Sequence, residues 1–76
     1  MTHPIFLIEA QFGRGRAFIE TDRDQNSRVF ALGLIRSGDV DCIKVLEIDE
    51  DAGTVRDCTR DDDFEEAIFQ ARLESA

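Results

Sequence analysis

Two apolar stretches, each turned back on itself at glycine and each followed by a segment suited only to a helix, restrict this chain to very few folds. The first is "PIFLIEAQFGRGRAFIETD", residues 4–22. Phe6 and Ile8 lie on one side and Ile5 and Leu7 on the other, as in a strand buried on much of both faces. In "AFIETD", Phe18 and Glu20 alternate with Ala17 and Ile19, the pattern of a half-buried strand. Gly13 and Gly15 accept positive φ without a Cβ clash, so "GRGR" reads as a hairpin reversal with Arg14 and Arg16 on its rim.

Val29 to Ile35 is a continuous apolar run whose periodicity alone suits helix or strand. Its boundaries decide for helix. Thr21, Asp22, Asp24, Asn26 and Ser27 offer N-caps upstream, Arg36 falls in the last turn, and Gly38 occupies the position of a left-handed cap. Val29, Leu32 and Gly33 would share the packing face, with Phe30 and Leu34 alongside.

"VDCIKVLEID" alternates again, with Val40, Cys42, Lys44, Leu46 and Ile48 on one parity. Asp-Ala-Gly ending at Gly53 gives a second reversal into a strand through Val55 and Cys58. If Ile48 faces Val55 in that hairpin, Glu47 faces Arg56. The last segment, "TRDDDFEEAIFQARLESA", is an amphipathic helix capped by Thr59 or Asp61. Phe64, Ala67, Ile68 and Ala71 form its stripe, widened by Phe69 and Leu73. The expected order is β-β-α-β-β-α, an α+β two-layer domain with a largely antiparallel sheet and both helices packed on it.

Seventy-six residues supply one core, so residues 1–76 form a single small domain. The 42% hydrophobic content, with six Phe, is sufficient for that core. No run reaches the length of a membrane span and the first residues lack the features of a signal peptide, which points to a cytoplasmic protein. Cys42 and Cys58 are too few for a secreted disulfide framework and read as buried free thiols; a Cys42–Cys58 bridge is the alternative in oxidising surroundings.

The segments "GRGRAFIETD", "IRSGDV" and "IKVLEIDEDAGTVRDCTRD" resemble a group of short bacterial hypothetical proteins. These carry a Gly-Arg-Ala-aromatic-x-Glu-Thr-Asp segment, a helix ending in Gly, and a hairpin closed by an Arg-Asp-apolar-Ser/Thr tract. The resemblance covers residues 5–62 and implies the same chain order. It brings no activity or catalytic residue with it.

Charge is divided unevenly. Residues 1–38 hold five arginines against four acids, and residues 39–76 hold four cations against thirteen acids, for a net charge of −8. A polyanion would meet a repulsive field over most of such a surface. Catalytic constellations are not visible: His3 is the sole histidine and has no partner signature around it, and Cys42 and Cys58 could be nucleophiles only if something lowered their pKa, for which Lys44 and Arg60 lie merely two residues away. Asp49 and Asp51 fit the start of a calcium loop, but its central glycine would fall on Thr54 and its closing Glu on Arg60. Asp61, Asp62, Asp63 and Glu66 could form a looser cation site, although acids at a helix N-terminus explain the same letters. No cofactor motif is present.

The preferred expectation is a non-catalytic acidic interaction protein. Asp49, Glu50, Asp51, Asp61, Asp62, Asp63, Glu65 and Glu66 would form a face for a basic protein partner. The alternative is a nucleic-acid or phosphate-ligand binder that uses the Gly13–Arg16 loop with Arg14, Arg16, Arg23 and Arg28. Phe12 and Phe18 flank that loop; stacking on bases is one role for them, and core packing in the strands is the simpler one. Weak self-association between the slightly basic first half and the acidic second half is also expected.

Overall fold

In the computed structural model, which describes residues 3–75, the chain follows the expected order: β1 (Ile5–Phe12), β2 (Gly15–Glu20), α1 (Ser27–Arg36), β3 (Asp41–Asp49), β4 (Thr54–Asp57) and α2 (Asp62–Ser75). The strands form one antiparallel sheet in the order β2-β1-β3-β4, and the helices cover one of its faces. The fold is α+β. Among the described residues no helix is long and apolar enough to cross a membrane.

Both hairpins follow from local chemistry. Phe12 pairs with Gly15, leaving Gly13 and Arg14 as a two-residue loop. Only Gly13 has positive φ there, at 56°, so glycine is needed at the first loop position and not at Gly15. The second hairpin pairs Ile48 with Val55 and, as that register requires, Glu47 with Arg56, with Gly53 at φ 68°. Cys58 extends that pairing beyond β4 by donating its backbone N–H to Val45 at 2.9 Å.

The register divides the sheet's two faces. Phe6, Ile8 and Ala10 of β1, Ile19 of β2 and Val45 of β3 face the helices, where they meet Ala31, Leu32 and Ile35 of α1 and Phe64 and Ala67 of α2. Phe6 and Phe64 are the largest buried side chains, with ring centroids 5.6 Å apart. The opposite face carries Leu7, Leu46, Ile48 and Val55, with Arg16, Phe18 and Glu20 along β2. Ile5 belongs to that second face, buried yet outside the core cluster.

Four expectations are corrected. Strict alternation along β3 fails at Ile43, where the register with β1 slips: Glu9 opposes Lys44, but Ala10 opposes Cys42. The extra residue is a β-bulge, and it brings Cys42 and Val45 to the same helix-covered face. On α1 the packing face is Ser27, Ala31, Leu32 and Ile35, while Val29 and Phe30 are 68% and 67% exposed. The small residues Ser27 and Ala31 let the helix lie close to the sheet, and Ser27 Oγ donates to the Pro4 carbonyl at 2.9 Å. Phe69 and Leu73 do not widen the stripe of α2 but stand out from it. Phe12 and Phe18 are exposed and not core residues.

Neither sequence-expected cap holds α2 through its side chain. Asp61 stands at the N-cap position, its carbonyl accepting from Glu65 N at 2.8 Å, but its carboxylate is turned towards arginines. Thr59 Oγ1 instead accepts from Val45 N at 2.9 Å, fastening the start of α2 to β3. Likewise Asn26 precedes α1 without a side-chain cap bond, and the Thr21 hydroxyl accepts from Phe6 N at 2.9 Å.

Cys42 and Cys58 are buried free thiols, and burial pushes both up to about 11. Since the thiolate is the reactive form, neither will react with a maleimide in the native state near neutral pH, and both will react in urea. Rapid stoichiometric labelling of the folded chain would contradict this packing. Urea denaturation tests the core assignment: Phe64→Ala will cost about 3–5 kcal/mol and leave little folded protein, whereas Phe18→Ala will cost about 0.5 kcal/mol or less.

Candidate functional site

The eight carboxylates expected to share one face fall into three settings. Asp49 and Asp51 belong to the β3–β4 reversal, where Asp49 Oδ1 accepts from Ala52 N at 3.1 Å and shapes the turn. Glu50, Asp61 and Asp63 are engaged with arginines. Asp62, Glu65 and Glu66 are exposed on α2 and form no ion pair among the described residues.

The engaged group centres on Arg28. From α1 its Nε and Nη2 donate to the two carboxylate oxygens of Asp63, each at 2.7 Å, and Nη2 also reaches Asp61 at 3.0 Å. The guanidinium lies over the Phe64 ring at 4.7 Å and the Phe6 ring at 5.7 Å, a cation–π contact above the core. Asp61 is shared: Arg56 of β4 grips it with two bonds of 3.0 and 2.9 Å and also reaches Glu47 at 3.3 Å. The result is a chain of alternating charge from α1 through the start of α2 to β4 and β3.

This chain changes proton affinities in a definite direction. Arg56 first, then Arg28, holds the Asp61 carboxyl down at about 2. The hydrogen bonds from Arg28 lower Asp63 as well. Both carboxylates are committed to structure, which removes Asp61 and Asp63 from the looser cation site that the sequence allows. Among the described residues no three of His, Cys, Asp or Glu converge to hold a metal ion.

The arginines considered for anion binding are likewise dispersed. Arg16 pairs with Glu9 at 3.4 Å, Arg23 pairs with Glu50, and Arg28 is held as described. Arg14 remains at the tip of the first hairpin. Phe12 and Phe18 are 46% and 57% exposed, as stacking would require, but they do not form one platform. Phe18 opposes Glu9, three residues from Phe12 along β1, so the two rings project from opposite faces of the sheet.

What remains is the outer side of α2. Asp62, Glu66, Phe69 and Leu73 follow one another at spacings of four, three and four, and Glu65 lies beside them, so acids in the first turns lead into two exposed apolar side chains. Phe69 and Leu73 are 59% and 56% exposed. Next to this stripe is a groove of about 260 Å³ lined by Ile43, Arg60, Glu65, Ile68, Phe69 and Arg72.

A larger groove of about 580 Å³ lies between the C-terminal ends of the helices, with Ile35, Gly38, Cys42, Ile68 and Arg72 in its lining. The Cys42 thiol in its wall is kept protonated by burial, with the neighbouring Asp41 charge acting in the same direction, and among the described residues no histidine or carboxylate hydrogen-bonds to it. No family model, curated protein or solved structure matches the chain.

The Arg28 network sets an acid limit on stability. A carboxyl whose folded pKa lies below its unfolded value of about 3.9 stabilises the fold above that pH, and the contribution fades as pH falls through the folded value. The loss in urea midpoint caused by Arg28→Met will therefore be constant from about pH 7 to pH 5, and will shrink between about pH 4 and pH 2. A difference that persists undiminished at pH 2 would rule out the carboxylate pairs as its source.

Proposed function

We propose that the protein is a small non-catalytic interaction module whose α2 outer face receives a basic, amphipathic segment of a partner protein. One observation carries this reading. While Glu50, Asp61 and Asp63 are matched by arginines of the same chain, Asp62, Glu65 and Glu66 form no ion pair among the described residues and run directly into exposed Phe69 and Leu73.

The chemistry of the stripe selects its ligand. Carboxylates attract and orient cationic side chains, and the two apolar residues supply contact area that survives when salt screens the charges. A partner helix with lysines or arginines along one edge and leucine-like residues beside them complements both parts. Arg60 and Arg72 border the groove on its β3 side and would repel a uniformly basic ligand there. This favours an amphipathic segment over a plain polycation. The acidic face reduces to the α2 positions Asp62, Glu65 and Glu66, without Asp61 and Asp63.

The anion-binding alternative has less support, because three of its four arginines face carboxylates within the chain. A chemical-shift titration separates the two. A Lys/Leu amphipathic peptide will shift amides of residues 62–73, with affinity that falls at high salt without vanishing. Glu65→Lys with Glu66→Lys will weaken it about tenfold, a cost of about 1.4 kcal/mol shared by two exposed charges. Single-stranded RNA shifting residues 12–16, with the peptide silent, would reverse the assignment.

A further inference from the structure

The outward side of α1 carries a second apolar surface, separate from the α2 stripe. Val29 and Phe30 are exposed there, Gly33 is open, and Leu34 only partly packs against the core. Together with Asn26, Ser37 and Asp39 they line a shallow groove of about 420 Å³. Gly33 is not explained by the monomer. Its φ is ordinary, and a Cβ built on it would meet no atom within 4 Å. An exposed mid-helix glycine nevertheless costs about 1 kcal/mol relative to alanine.

We propose that this face is a self-association surface on which a second copy of the chain packs with its α1 antiparallel. Three observations select a second copy over another occupant. The first is shape. Phe30 is a knob and Gly33, one turn further along, is a hole; two antiparallel copies related by a two-fold axis between these positions place each Phe30 over the other's Gly33.

The second is charge. Each copy carries a net charge of −8, so copies repel one another over most of their surface. No carboxylate occurs between Asp24 and Asp39 in the sequence, and Arg28 is already neutralised by Asp61 and Asp63. Asp39, at the rim, is the carboxylate in the lining of the groove among the described residues. A basic partner would instead be drawn to α2.

The third is the ends of the helix. Arg36 and Asp24 lie at opposite ends of α1, and neither forms an ion pair among the described residues. Antiparallel packing brings Arg36 of one copy towards Asp24 of the other, twice by symmetry. A face one helix wide is smaller than the roughly 800 Å² per partner of a standard interface, so the dimer is weak and concentration-dependent.

Sedimentation equilibrium of the full chain over a wide concentration range, in low and in high salt, tests this. The weight-average mass is expected to climb towards twice the monomer mass, no less readily in high salt, because salt screens the mutual repulsion of two anionic copies. Phe30→Glu, a change at an exposed position that will keep the chain folded, lowers the association constant about tenfold or more. Arg36→Glu lowers it as well. Gly33→Ala gives the most specific result: it raises Tm, as alanine does in a helix, and weakens association because the methyl group fills the hole. The proposal is overturned by a monomer at every concentration, by association that high salt abolishes, by indifference to Phe30→Glu, or by loss on Phe69→Glu in place of Phe30→Glu.

Discussion

Arg28 is the side chain on which the arrangement of the layers depends. Its guanidinium covers the two largest buried rings, Phe6 and Phe64, and with Asp63 and Asp61 it fastens α1 to the beginning of α2. Arg56 then carries the same connection to β4 and, through Glu47, to β3. A domain this small has one layer of helices over one sheet and few buried side chains with which to fix their relative position. Bidentate geometry sets orientation as well as distance, and the aromatic surface beneath supplies contact that a lysine would not reproduce.

The same network explains why the acidic character of the second half is a poor guide to where a ligand would sit. Counted along the chain, Asp61, Asp62 and Asp63 are equivalent. In the fold the outer two turn towards arginines and the middle one towards solvent: Asp61 stands at the N-cap, outside the helix, while Asp62 and Asp63, as successive helical residues, point about 100° apart. The cations that neutralise them are Arg28, more than thirty residues away in sequence, and Arg56, five residues before Asp61 at the end of the second hairpin. Glu50 is matched by Arg23 in the same way. Contacts made in the fold, most of them between distant segments, decide which charges remain available.

Element order and both reversals were legible in the sequence because each rests on neighbours. Alternation and glycine placement are short-range signals, and at the level of whole elements they agree with one another. The parity of β3 was not legible. The bulge at Ile43 is visible only against β1, which lies a whole ββα unit earlier. The packing face of α1 was missed for a related reason: Val29 to Ile35 is apolar throughout, so hydrophobicity cannot rank its faces, and small Ser27 and Ala31 take the inner positions that bulkier Val29 and Phe30 were expected to hold. Phe12 and Phe18 were assigned to the core by residue type, although they sit on a hairpin whose outer strand is an edge. For the site, residue types pointed to α2 but could not separate Asp62, Glu65 and Glu66 from their paired neighbours.

The strand order has a consequence for how the chain comes together. Each hairpin closes locally, but the centre of the sheet joins β1 to β3, with Ile5 opposite Ile48. The chain must close that long loop before the interior seam rewards it. As the chain is synthesised, the first ββα half is complete while the inner edge of β1 still has no neighbour, and its backbone groups are open to any other extended segment nearby. The late arrival of β3 makes this half dependent on the second, and places the interval of greatest exposure before residue 48 has emerged.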